Sequence, residues 1–452
     1  MKQDDFIDVT SLTANEAVAG IREGRLTSEE IVGGCLARIR ADEPRVQAWA
    51  YLDEEHALRQ ARARDADRKA GHTVGPLHGV PVGVKDIIDT GDMPTECGTV
   101  LHAGRRPEYD ATVVTRLREA GAVILGKTVT TELATYAPGK TRNPHNPEHT
   151  PGGSSSGSAA AVAAQMVPVA IGTQTNGSVI RPAAYCGVYG YKPTFGRIPR
   201  DGILKQSRPL DQVGVMARSV EDLALVAECL MGFDDYDPDT RVGVRPKLLE
   251  VAASEAPVPP RFAFAKTPNW GDADAQTQEA FEELAGSLGE RCEPFTVPAP
   301  LGDAWKWHQL VMEADIARNY RHEYDRGRER MSDSLCAQIE RGRRVTAIDY
   351  NDAVDRIDAV ATAFDELFIR YDAILTAATG GTAPRGLEST GSPAFCTLWT
   401  FAGMPAVTLP LMRGEDGLPM GVQLVGVRGD DARLLRTARW LVKWAAQAAE
   451  GA

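Results

Sequence analysis

The chain has 452 residues, 43% hydrophobic and 25% charged, the balance of a globular protein with a large core rather than a disordered or fibrous one. Lys and Arg number 50 against 62 Asp and Glu, a formal charge of −12 that argues against a general nucleic-acid binder or adhesion to an anionic membrane. The seven cysteines are scattered, odd in number and form no CxxC pair, which fits reduced thiols in a cytoplasm and not a zinc site.

Met1 to Phe6 holds no basic stretch followed by an apolar one, so no secretory signal is expected. Thr13 to Glu16 and Thr27 to Glu30 have capping-box spacing ahead of apolar residues at helical intervals, predicting two N-terminal helices. A third, charge-rich helix is expected over residues 54 to 69. From residue 77, short β-branched runs (Val80–Val84, Val123–Leu125, Val167–Ile171) alternate with helical stretches, the pattern of an α/β protein. Residues 138 to 158 are rich in Pro, Gly and Ser and read as a long irregular loop. The following weakly polar stretch, Ala159 to Gly172, is interrupted by Gln165 and Pro168 and is too short to span a bilayer. Residues 233 to 260 read as a boundary or a surface excursion, 270 to 370 as mainly helical, and Val407 onward as a final βα pattern. There is no internal repeat.

Gly121-Ala-Val-Ile-Leu-Gly126-Lys127-Thr128 matches the phosphate-loop pattern letter for letter. The mechanism behind that pattern needs a strand before the first Gly and a flexible loop after it. Here a helix precedes Gly121 and the intervening residues read as a buried strand, which excludes nucleotide binding. His145 and His149 belong to a loop, because Pro147 between them forbids a shared helical face.

Three further segments carry chemistry. Gly152-Gly153-Ser154-Ser155-Ser156-Gly157-Ser158 leads into an alanine-rich helix, where a helix N-terminus and close backbone approach favour a reactive serine. Gly172-Thr-Gln174-Thr175-Asn176-Gly177-Ser178 follows a strand, and its small residues let backbone amides converge as an oxyanion hole requires. Asn at 176 tolerates left-handed backbone angles. Lys85 ends Val80-Pro81-Val82-Gly83-Val84-Lys85, sharing a strand face with Pro81 and Gly83; a lysine in a dry cleft has a lowered pKa and can act as a base. Strand alternation turns Asp86 away from it.

Together these segments resemble the amidase signature family. Ser154 and Ser178 match the family's relay serine and nucleophile, and Lys85 its base. The resemblance continues through Arg181-Pro182, Tyr185 to Arg197, Leu210-Asp211-Gln-Val-Gly214, Ala402 to Ala406 and Gly417 to Gly426. Gly126-Lys127-Thr128 also belongs to the family's pattern. Two departures stand out: Gln174 replaces a common Asp, removing a negative charge, and Asn176 replaces a Gly.

The resemblance implies an α/β fold, a large twisted mixed sheet sandwiched between helices, in one domain over 1–452. Its parts are N-terminal helices (about 10–70), a catalytic core (about 77–230), a divergent pocket region (about 235–395) and a C-terminal βα part (about 400–445). It further implies a cis peptide between Gly153 and Ser154, oxyanion-stabilising amides from Thr175, Asn176, Gly177 and Ser178, and no metal or organic cofactor. The expected activity is cleavage of amide C–N bonds through a Ser178 acyl-enzyme. Apolar Met312, Tyr320, Phe395, Leu398 and Trp399 are candidate pocket residues, pointing to neutral aryl or small amides or carbamates (a urethanase), with poor use of glutamine. The expected partner is then a small molecule, with no nucleic acid and no membrane, and a homodimer is allowed. The alternative is the glutamine-hydrolysing subunit of a tRNA-dependent amidotransferase.

Overall fold

The structure, a computed structural model, describes residues 8–450; the Met1–Phe6 segment lies outside them. Both capping boxes form. The Glu16 amide donates to Thr13 Oγ1 and the Thr13 amide to the Glu16 carboxylate, opening α1 (Ala14–Arg22). Thr27 and Glu30 repeat the exchange at α2 (Ser28–Val46), and Asp53 caps α3 (Glu54–Lys69). The later helices that frame the site are α4 (Thr112–Glu119), α5 (Ser156–Ala163), α6 (Ile180–Cys186) and α7 (Val220–Leu230).

Among the described residues eleven strands form one mixed sheet. They are β1 (Trp49–Leu52), β2 (Pro81–Lys85), β3 (Val123–Thr128), β4 (Val169–Gln174), β5 (Tyr189–Lys192) and β6 (Gln212–Ala217), then β7 (Phe262–Lys266), β8 (Cys292–Thr296), β9 (Ala373–Ala377), β10 (Ala406–Arg413) and β11 (Pro419–Val425). Their order is β1-β3-β2-β4-β6-β5-β10-β11-β9-β7-β8. β2 pairs in parallel with β3 and β4, while β4 and β6 are antiparallel. Side chains alternate between two cores, as the pleat demands. Val82, Val84, Ile124, Val169, Ile171, Val213 and Val215 face one core, packed with α1, α4 and α7. Val123, Leu125, Ala170 and Met216 face the other, packed with α2, α3 and α5. Helices therefore cover both faces.

Several expectations are corrected. The irregular loop ends early, because α5 begins at Ser156, with Ser155 in the cap position. Residues 233–260 are an excursion and not a boundary, since β7 rejoins the same sheet. The helical stretch 270–370 contains strand β8, whose Cys-Glu-Pro-Phe-Thr sequence hides it; Pro294 is tolerated because β8 is an edge strand. Residues 406 onward form a β10–β11 hairpin before the helix Asp431–Glu450. All seven cysteines are unpaired. Among the described residues no helix is long and apolar enough to cross a membrane.

Candidate active site

Lys85 is the last residue of β2, and its side chain is fully buried. Its Nζ lies 2.7 Å from Ser154 Oγ and 2.9 Å from Thr173 Oγ1. Burial drives its pKa down to about 7, opposed by Asp211 and then Cys97. Asp86 does point away, and lies 3.4 Å from the Lys127 Nζ on β3. Lys127 and Thr128 sit inside that strand, so the phosphate-loop match is a buried β-ladder.

The peptide bond between Gly153 and Ser154 is cis. Arg181 clamps the carbonyl of this bond, with Nε and Nη2 donating to Gly153 O at 3.2 and 2.6 Å. The third nitrogen of its fork, Nη1, donates to Gly391 O. Gly172 is required beside this turn, since a Cβ there would lie 2.7 Å from Ser155 Oγ. Ser178 joins the group through the backbone, its carbonyl accepting from the Ser155 amide at 3.3 Å.

In the segment from Thr175 to Ser178 the carbonyls and the amides are treated differently. Every carbonyl in it is taken. Thr175 O accepts from His308 Nε2 at 2.8 Å, Asn176 O from Thr400 Oγ1 at 2.5 Å, Gly177 O from the Arg181 amide at 2.9 Å, and Ser178 O from Ser155. No protein acceptor among the described residues takes the amides of Thr175, Asn176, Gly177 or Ser178. With the carbonyls tied back, those amides are available for developing negative charge. Burial lowers the His308 pKa to about 4, so a neutral ring donates to Thr175.

Both departures from the family pattern have a structural use. Gln174 Oε1 accepts the Val179 and Ile180 amides at the start of α6, and its Nε2 donates to Thr400 Oγ1. Asn176 does not adopt left-handed angles. Its side chain is held instead, with Oδ1 accepting from Thr397 Oγ1 at 2.7 Å and Nδ2 donating to Tyr136 OH at 3.3 Å.

The five apolar pocket candidates lie elsewhere. Met312, Tyr320, Phe395, Leu398 and Trp399 are each at most 3% exposed and are packed in the core. A cavity of about 1170 Å³ touches Thr173 and Thr175 but none of Lys85, Ser154 and Ser178, and none of the five lines it. Its walls are mixed, with Arg200, Asp211 and Arg318 beside apolar Phe195, Leu204 and Ile357. Sequence reasoning missed His308 and Thr400, and it named Asp211 only within the Leu210–Gly214 motif, with no role. His308 sits 133 residues from its partner Thr175, and no local pattern marks it.

The Amidase family model matches residues 30–435. The chain belongs to the amidase family. Solved structures similar to this amidase include the peptide amidase of Stenotrophomonas maltophilia (TM-score 0.84, 29% identity, covering 96% of this chain and 97% of that one). Another is 6-aminohexanoate cyclic dimer hydrolase complexed with substrate (TM-score 0.86, 27% identity, covering 97% and 98%). It is an amidase-family enzyme that hydrolyses C–N bonds. Among curated relatives, a glutamyl-tRNA(Gln) amidotransferase subunit of Rhodopirellula baltica is 34% identical, covering 94% of each chain. The corresponding subunit of Symbiobacterium thermophilum is 36% identical, covering 92% of this chain and 93% of its own.

These relatives overturn two expectations. A neutral aryl or small amide or carbamate as the preferred substrate does not agree with them. Nor does a partner set restricted to small molecules without nucleic acid, because the relatives are subunits of an assembly named for a tRNA. Net charge and apolar composition misled here because both average over the whole chain and say nothing of what a second subunit contributes.

Proposed function

We propose that this amidase is the glutamine-hydrolysing subunit of a tRNA-dependent amidotransferase. The observation that carries this reading is the agreement with amidotransferase relatives over more than nine-tenths of both chains. The chain acts as one domain over 1–452 in the cytoplasm, consistent with its unpaired cysteines. Carbamate cleavage forms no part of the reading.

In the proposed mechanism, neutral Lys85 accepts the Ser154 hydroxyl proton while Ser154 accepts that of Ser178. Ser178 Oγ bonds to the side-chain carbonyl carbon of glutamine, and the amides of Thr175 to Ser178 receive the oxyanion. The C–N bond then breaks, with Ser154 returning a proton to the departing ammonia. Water, activated through the same relay, cleaves the acyl-enzyme and leaves glutamate. The ammonia passes to a partner that binds the tRNA.

Ammonia release by the purified chain, alone and with a co-expressed partner, tests the reading. Glutamine should be hydrolysed faster than an anilide at equal concentration, and the partner should raise the rate. Faster anilide turnover without any effect of a partner would overturn it.

A further inference from the structure

Strand register places a buried carboxylate beside the segment from Thr175 to Ser178. Gln174 pairs with Gln212 and Thr173 with Val213 across β4 and β6, so the next position brings Thr175 opposite Asp211. Opposed residues in an antiparallel pair share a face. Thr173, two residues before Thr175, therefore shares that face and contacts the Lys85 Nζ at 2.9 Å. The Asp211 carboxylate is fully engaged. Oδ1 accepts from Thr175 Oγ1 at 2.6 Å, and Oδ2 accepts the Gln206 and Ser207 amides at 2.9 Å each.

We propose that Asp211 is a positioning residue for the acyl-transfer reaction: its carboxylate fixes Thr175 at the head of the oxyanion segment and sets a negative charge on the sheet face of Thr173, whose hydroxyl meets the Lys85 amine at the end of β2. This rests on Lys85 acting as the base. The charged and titratable groups around this corner are Lys85 and Cys97, Arg200 against the Asp211 carbonyl, Tyr320, and Asp315 across Ser207. Asp211 is the largest of the influences that hold the Lys85 pKa up against burial. It keeps the lysine basic enough to take a proton while letting it become neutral above about pH 7. A lysine without such a neighbour would be a weaker base, and one beside a closer carboxylate would stay charged.

Asp211→Asn separates charge from contact. With its amide turned, Oδ1 still accepts the Gln206 and Ser207 amides and Nδ2 donates to Thr175 Oγ1, so the network survives without the negative charge. The ascending limb of kcat/KM against pH should move toward acid by about one pH unit. The Lys85 13Cε titration midpoint, assigned by its loss in Lys85→Arg, should move with it. Asp211→Glu keeps the charge and should leave both near their wild-type values while lowering kcat. Thr175→Val should lower kcat about tenfold with the limb unmoved. A Lys85 midpoint unchanged in Asp211→Asn overturns the proposal. A midpoint that moves while the kinetic limb stays supports the coupling but fails Lys85 as the base, so the two failures are distinct.

Discussion

Lys85 at the end of β2 and Lys192 at the end of β5 are subject to the same force: each is 0% exposed, and burial presses each to about pKa 7. Their partners differ. Lys85 faces two hydroxyls, Ser154 and Thr173, which can donate as well as accept. A neutral amine is satisfied there. Lys192 faces three obligate acceptors: Pro193 O at 3.1 Å, Gln212 Oε1 at 2.8 Å and Met404 O. A neutral amine has two hydrogens for three acceptors, so this pocket calls for the ammonium and works against its loss. Equal burial thus leaves an amine that can be neutral in one pocket and favours a cationic tie between β5, β6 and the turn before β10 in the other. Partner chemistry separates the two roles.

The largest effects should follow from the pocket of hydroxyls. A fluorophosphonate should label Ser178 and spare Ser154, Ser155 and Ser156, and Ser178→Ala should abolish turnover by several orders of magnitude, as for other serine nucleophiles. Peptide mapping that found the adduct in residues 154–158 would reassign the nucleophile.

Lys85→Ala comes next. With a base that is neutral above about pH 7, kcat/KM should rise with pH through that value and then level off. Lys85→Ala should flatten the limb and lower amide turnover by orders of magnitude, with less loss on activated esters, whose leaving groups need no proton. An unchanged limb in Lys85→Ala, with wild-type rate, would make Lys85 no more catalytic than Lys192.

How much of this was legible in the sequence follows the same division. Lys85, Ser154 and Ser178 stand in contiguous runs of small or β-branched residues, so each announced itself locally, and together they resembled a known family. The sheet's alternating apolar strands were readable for the same reason. Asp211, His308 and Thr400 act on the oxyanion segment from other parts of the chain, and only the β4–β6 register and the helix Ala304–Asn319 bring the first two there. The apolar pocket candidates, such as Trp399 and Phe395, lie in the core, where burial alone accounts for their character.

Lys192→Met should affect stability and not chemistry. It leaves the Pro193, Gln212 and Met404 oxygens without their donor, and buried acceptors left unpaired cost about 1–3 kcal/mol each, so a loss of about 3 kcal/mol or more is expected from urea unfolding. The pH limb of the folded variant should stay in place. A limb that moved would mean that Lys192, and not only Lys85, shapes the ionisation seen in catalysis.

The smallest effect should come from Asn176→Gly, which restores the residue common in the family. Glycine would be favoured if position 176 were left-handed, but it is not, so no conformational strain is relieved. The substitution removes the bond from Thr397 and the longer one to Tyr136. Thr397 is not orphaned, since its hydroxyl also reaches Pro393 O at 3.1 Å. The tie on the Asn176 carbonyl from Thr400 needs no side chain and persists. What remains is the net loss of about one hydrogen bond, ~1 kcal/mol, in a segment whose four carbonyls are still held. We therefore expect kcat to fall less than tenfold, with KM and the pH limb unchanged. A rise in kcat would show instead that Asn176 restrains the oxyanion amides, and that hydroxyl partners such as Thr397 limit this site as well as serving it.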